Sequence, residues 1–172
     1  MKIFVTVGFE RSPFDRLIKI IDQAIMEGKI PFTTFIQTGY SRYTPKNCRY
    51  RRFLEFEDMI REVRYSDIII SHAGVGTIVL CLSYDKIPIL FPRYPEFQEH
   101  VDDHQLDFCR VMEKHKKGLV AYDGHTLLEA VTNYHSLLEM INPRYKKPDS
   151  NSLSQYLDKL LWNSTTYKSS RT

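Results

Sequence analysis

The sequence predicts an α/β fold, a Rossmann-like parallel sheet with helices on both faces. Short apolar runs such as Lys2 to Val7 and Asp67 to Ser71 alternate with segments of helical periodicity through the body of the chain. Isolated apolar strands separated by amphipathic helices require a mainly parallel sheet that is covered on both sides. Gly8, Ser71, His72 and Arg93 all fall at or just after the ends of such strands. In open sheets of this kind, ligands bind beyond the carboxyl ends of the strands, where the strand order reverses.

Each element has its own justification. Lys2 to Val7 reads as the first strand. Pro13 to Met26 reads as a helix, with Phe14, Leu17, Ile18, Ile21 and Ile25 on one face, Ser12 as its N-cap and Pro13 at its first position. Phe32 to Gln37 is the second strand, Gly39 to Lys46 a loop, Arg49 to Leu54 a short strand and Phe56 to Tyr65 a short helix. Asp67 to Ser71 is a strand, Gly76 to Tyr84 a helix and Ile87 to Phe91 a strand. Val101 to His115 reads as a helix, Gly118 to Ala121 as a strand and Thr126 to Met140 as a helix. Residues 1–141 form one domain on this reading. Residues 142–172 form a basic linker and tail, with a final helix over Ser152 to Trp162 that carries an apolar stripe of Leu153, Tyr156, Leu157, Leu160 and Leu161.

At 172 residues the chain supports one good core and not two full-sized domains. Its net charge of +3 is concentrated at the end, where six basic residues face two acidic ones from Ile141 onward. A nearly neutral body argues against nucleic acid, even with Arg49, Arg51 and Arg52 interleaved with Tyr50 and Phe53. Those residues read as a solvated strand edge or a docking surface. Cys48, Cys81 and Cys109 are widely separated, which suits a reduced, cytoplasmic compartment. The opening KIFVTVGFE reads as a strand and not as a secretory leader, and no run approaches the length of a membrane span.

The segment SHAGVGT carries the most chemistry. An apolar strand stops at Ser71 and His72, and a glycine-bearing turn, Ala73 to Gly76, opens a helix. Glycines allow close backbone approach to an anion, and the N–H groups and positive dipole end of a helix start favour negative charge. The third glycine of the dinucleotide fingerprint is absent, there is no P-loop lysine, and Gln37 and Thr38 stand where a nicotinamide-binding enzyme would need an acid. A simple packing turn remains the alternative. The second polar run is EHVDDHQ. His100 and His104 are spaced for one helical face, but Val101 stands where a zincin needs glutamate, so no metal and no cofactor are expected. Asp102 reads as a cap, while Asp103, His104 and Gln105 present hydrogen-bonding groups suited to a hydroxyl-rich ligand. Cys81, between Leu80 and Leu82, reads as buried and structural.

VTVG with FDRLI, then SDIIISHAGVGTI, KIPILFPR and EHVDDHQL, together resemble the C-terminal domain of glycosyltransferase family 28 over about residues 1 to 140. Within that family the chain most resembles PssE-type exopolysaccharide galactosyltransferase subunits. The resemblance implies the donor-binding half of a GT-B enzyme, an inverting transferase that uses a UDP-sugar without a catalytic metal. It also implies a PssD-like membrane-associated partner that binds a lipid-linked sugar acceptor, at the cytoplasmic face of the membrane. By position, Gly8, Ser71, His72, Gly74, Gly76 and Thr77 would surround the diphosphate, and Asp103 and Gln105 would contact the donor sugar or its phosphate. Arg93 and Glu99 belong to the same loop. The family commonly carries a ribose-binding glutamate where this chain has Cys81, a thiol that cannot replace a bidentate carboxylate. That departure, together with the missing second half, keeps open a non-catalytic activating or structural partner subunit.

Overall fold

A computed structural model describes residues 1–101 and 104–141, apart from the side chain of His104. Six parallel strands form one sheet in the order β3-β2-β1-β4-β5-β6. They are β1 (Ile3–Thr6), β2 (Phe35–Gln37), β3 (Arg49–Arg51), β4 (Ile68–Ser71), β5 (Ile89–Leu90) and β6 (Leu119–Val120). The helices are α1 (Asp15–Met26), α2 (Phe56–Tyr65), α3 (Val75–Ser83), α4 (His104–Lys114), α5 (Gly124–Thr132) and α6 (Tyr134–Ile141). The order reverses between β1 and β4, which pair in register from Ile3 opposite Ile68 to Thr6 opposite Ser71. The predicted α/β class and parallel sheet are therefore observed.

Alternation along the strands supplies a core on each face of the sheet. Ile3, Val5, Ile68, Ile70, Ile89 and Phe91 point to one side, where they pack with Leu17, Ile18 and Ile21 of α1 and Leu127 and Val131 of α5. Phe4 and Ile69 point to the other, against Met59 and Val63 of α2 and Cys81 of α3. Leu90 meets Ile78 and Leu82 of α3 and Cys109 and Met112 of α4. Cys81 is fully buried, and burial pushes its thiol up to about 12. It is a packing residue on this evidence of position, as expected.

Several boundaries differ from the sequence reading: β3 stops at Arg51 and not Leu54, α4 starts at His104 and not Val101, and three further differences have clear physical reasons. α1 begins at Asp15, and Ser12 makes no side-chain cap; its carbonyl accepts a hydrogen bond from Arg93 instead, while Asp15 accepts the N–H groups of Arg42 and Tyr43 at 2.7 and 2.9 Å. Tertiary partners have displaced the local cap. The strand predicted from Phe32 begins only at Phe35, and Phe32 is exposed. The long helix predicted from Thr126 is two, because Asp123 and Thr126 form a capping box that starts α5 at Gly124 and Asn133 interrupts the run. The helix predicted over Ser152 to Trp162 and the Asp102 cap lie outside the described residues.

Loops on either side of β2 and β3 are anchored by buried polar side chains. Asp22 of α1 accepts hydrogen bonds from Tyr43 Oη at 2.7 Å and from the N–H groups of Lys46 and Asn47. Burial alone would push its carboxyl up, but these hydrogen bonds outweigh that and hold it below the usual carboxylate range. Gln37, at the end of β2, is saturated. Its Oε1 accepts from Thr6 Oγ1 at 2.6 Å and from Gly8 N–H at 3.1 Å, and its Nε2 donates to Gly8 and Arg52 carbonyls at 3.0 and 2.9 Å. Gln37→Glu would replace the amide nitrogen and its two N–H donors by one carboxylate oxygen facing two carbonyls, so a loss of about 2 kcal/mol or more is expected in urea denaturation.

Candidate functional site

The turns after β1 and β4 meet where the strand order reverses, and His72 is the piece between them. Its ring lies between Gly8 and Gly74 so tightly that a Cβ on Gly8 would stand 2.3 Å from Cε1, and one on Gly74 would stand 2.2 Å from Nε2. Gly8 also has a φ of +73°, which favours glycine. The left-handed residue of the second turn is not a glycine but Ala73, at φ +63° and buried, a conformation costing an alanine about 1–2 kcal/mol. Gly76 has no atom within 4 Å of where its Cβ would be and is exposed. It lies in the first turn of α3, where helix N–H groups lack intrahelical partners.

The His72 Nδ1 lies 3.3 Å from the carbonyl oxygen of Thr6. A carbonyl can only accept, so Nδ1 carries the proton in that contact and Nε2 keeps its lone pair. Burial, then the positive charge of Arg93, lower the imidazole pKa from 6.5 to about 4, against the opposing Thr6 contact. The ring is therefore neutral at pH 7 and presents an acceptor. Its folded pKa is depressed, so its contribution to stability is full above about 6.5 and is lost as the pH falls towards about 4. Urea midpoints measured across that window should fall more steeply for the native chain than for His72→Gln.

Gly8, Phe9, Phe56, Met59, His72, Gly74, Gly76, Thr77 and Leu80 line one crevice of about 290 Å³. Its walls are largely apolar, and its polar floor is the glycine turn. Five of the predicted residues, Gly8, His72, Gly74, Gly76 and Thr77, are brought together here.

The others stand elsewhere. Ser71 is fully buried below the crevice with a hydroxyl that has no partner among the described residues. Arg93, read from sequence as facing a ligand, is completely buried. Its Nη1 donates to the carbonyls of Ser12 at 2.8 Å and Glu99 at 3.0 Å, its Nη2 to that of Val7 at 2.9 Å, and its guanidinium lies 4.5 Å from the Phe14 ring centroid. Burial lowers its pKa to about 10, so it stays charged. Glu99 is buried too, in a bidentate pair with Arg16 at 2.8 to 3.3 Å. Arg16 also donates to the Pro92 carbonyl at 2.8 Å and lies within 5.4 Å of the ring centroids of Phe14, Phe91, Tyr94 and Phe97. Arg93, Glu99 and Arg16 therefore clamp the loop after β5 to the start of α1, and act as positioning residues. Gln105 accepts the Arg93 N–H at 3.3 Å. Asp103 and the side chain of His104 lie outside the described residues.

Sequence reasoning missed Phe9, Phe56, Met59 and Leu80 as lining, and Gln37 and Arg16 as supports. Only Phe9, directly after the glycine of the first turn, carried a local signal. The remaining five depend on partners distant in sequence.

Several solved structures share the fold. The calicheamicin glycosyltransferase CalG4 matches with a TM-score of 0.59 at 11% identity, over 92% of this chain and 42% of its own. Acinetobacter baumannii MurG matches at 0.58 and 17% identity, over 92% and 49%. Os79 from O. sativa, in complex with UDP, matches at 0.57 and 10%, over 92% and 40%. This chain thus spans less than half the length of each. No curated protein matches its sequence. Residues 2–160 match the profile of the glycosyltransferase family 28 C-terminal domain, and the chain belongs to that family.

Proposed function

We propose that the chain is the donor-binding subunit of a two-component inverting glycosyltransferase. It would hold a UDP-sugar and act with a PssD-like membrane-associated chain that binds a lipid-linked sugar acceptor, at the cytoplasmic face of a membrane, in exopolysaccharide or capsule synthesis. The observation that carries this reading is the crevice at the strand-order reversal, with an open glycine at a helix start beside a largely apolar wall. The apolar side suits a flat base and the helix start a diphosphate. Os79, which shares the fold, was solved with UDP. Galactose is the donor sugar that the PssE-type resemblance favours.

In this mechanism an acceptor hydroxyl attacks the anomeric carbon as the bond to the UDP oxygen breaks, with inversion. The hydroxyl proton passes to a base on the partner chain. Charge that grows on the departing diphosphate is met by the first N–H groups of α3 and its dipole, without a metal. Gln105 and Asp103 would face the donor sugar. Neutral His72, an acceptor at Nε2, would serve a hydroxyl or N–H donor better than a phosphate oxygen. No helix among the described residues is long and apolar enough to cross a membrane. The PssE-type resemblance is what assigns membrane attachment to the partner.

Gly76→Ala tests the reading. A Cβ there meets no protein atom, and alanine is favoured over glycine in a helix by about 1 kcal/mol, so Tm should hold or rise. UDP affinity by calorimetry should fall at least several-fold, and NAD should not bind to either form. Unchanged UDP affinity would remove the helix start from the site. Absence of UDP binding to the native chain, alone and with its partner, would favour the second reading, a non-catalytic activating or structural subunit. The buried Cys81 supports that alternative, since it leaves no carboxylate for ribose at that position.

A further inference from the structure

Beside the crevice, the loops after β1, β2 and β3 raise an aromatic ridge. Phe9 and Phe53 stack with ring centroids 5.9 Å apart, and Tyr40 meets Phe53 edge-on at 5.1 Å. The rings remain well exposed, at 60%, 41% and 40% respectively. The guanidinium of Arg52 lies 5.9 Å from the Phe53 centroid. The ridge is also held in place from below. Gln37 fixes Gly8 and the Arg52 carbonyl, and the Gly39 N–H donates to that same carbonyl at 2.8 Å. Gly39, at φ +55°, would put a Cβ 2.6 Å from the Gly8 carbonyl oxygen, so the two loops touch through backbone.

Ordered, mutually stacked aromatics on a surface give a binding partner large contact area at little entropic cost. Composition around the ridge decides what that partner is. Within a few residues of the three rings in sequence stand Arg11, Arg42 and Arg52 as well as Glu10, Glu55 and Glu57, all exposed. An anionic lipid surface would repel those carboxylates, whereas an aromatic and arginine centre with a rim of both signs is the make-up of a protein interface. Phe9 is shared between ridge and crevice, so whatever covers the ridge also reaches the crevice wall. CalG4, MurG and Os79 are each more than twice as long as the part of them that aligns with this chain, and on the proposed reading this chain is one half of such a molecule.

We infer that the Phe9–Phe53–Tyr40 ridge is the docking surface for the acceptor-binding protein chain, which closes over the donor crevice. This rests on the two-component reading proposed above. The probe is a PssD-type chain from the same genome, purified in detergent, with its affinity for the full-length protein measured by interferometry. Phe53→Ala and Tyr40→Ala, neither of which lines the crevice, should each weaken that association about tenfold or more. Phe32→Ala, on an exposed ring before β2, should leave it unchanged. Both ridge variants, tested alone, should keep the native UDP affinity. Equal binding by the ridge variants, or no association of the native chain with the probe, overturns the inference. So does ridge-dependent self-association by light scattering, which would make a second copy the occupant, or ridge-dependent binding to vesicles of phosphatidylglycerol and phosphatidylcholine. UDP titration of the native chain, alone and with the probe, judges the donor reading separately from all of these.

Discussion

Gly74→Ala should destabilise the chain and, on the donor-binding reading proposed above, abolish UDP binding, although its backbone conformation suits alanine. Gly74 has φ −74° and ψ 129°, an ordinary extended geometry, so the substitution introduces no backbone strain. The added methyl would instead lie 2.2 Å from His72 Nε2 and 2.7 Å from Cε1. The ring has little room to swing aside, because it also packs so near Gly8 that a Cβ there would stand 2.3 Å from Cε1, and Nδ1 is tied to the Thr6 carbonyl. Forcing a methyl into so close a site costs about 1–3 kcal/mol, or roughly 3–10 °C in Tm for a chain of this size. The decisive control is a double-mutant cycle. In a His72→Ala background the obstacle is gone, and Gly74→Ala should then cost close to nothing. Strict additivity of the two changes would show that the glycine is needed for some other reason. Gly8→Ala should cost more than Gly74→Ala, since φ of +73° adds strain that removal of His72 does not relieve.

Arg93→Ala should be at least as damaging, by about 3 kcal/mol or more in chemical denaturation, since three main-chain carbonyls lose their donor at about 1–3 kcal/mol each. The side chain is fully buried and donates to main-chain carbonyls of Val7, Ser12 and Glu99, which belong to the first strand end, the first loop and the loop after β5. Removal leaves those acceptors without their donor and opens a cavity beside Phe14. Arg93→Lys should recover little, because a single ammonium on a flexible stem cannot reach several carbonyls in different directions as a planar guanidinium does. Hydrogen exchange should speed up at Gly8 and at Tyr94, whose N–H is held by Glu99 at 3.1 Å. Native stability in Arg93→Lys would mean that charge alone matters here and that the directional network does not.

The neutral His72 and the charged Arg93 are neighbours, and their roles are linked. The guanidinium helps keep the imidazole unprotonated, so that Nε2 remains an acceptor at the crevice wall. A protonated His72 would put a second positive charge into the same buried region. The steep loss of stability expected on acidification is the thermodynamic side of that arrangement.

Much of the architecture was legible without coordinates. Short apolar strands and amphipathic helices can be satisfied by few arrangements, because burying each apolar face admits few solutions. The parallel sheet, α2, the buried face of α1 and the packing role of Cys81 followed from periodicity and residue type alone. The glycine turn after β4 was recognisable too, since a strand that ends in small residues before a helix has few uses.

Sequence pattern was enough to bring the turns after the first strand and after the Asp67 to Ser71 strand to one crevice. Folding settles what each side chain in the loops does. Arg93 and Glu99 look like ligand-facing polar residues in one dimension, but buried charge must find partners, and theirs are backbone carbonyls and Arg16 from α1, far away along the chain. Gln37 looked like the absence of an acid and is a clasp for Gly8. Gly74 and Gly76 look alike in sequence, yet one is required by the His72 ring and the other opens on empty space. Secondary structure follows from local pattern, whereas hydrogen-bond partners and steric room are properties of segments brought together only when the chain has closed on itself.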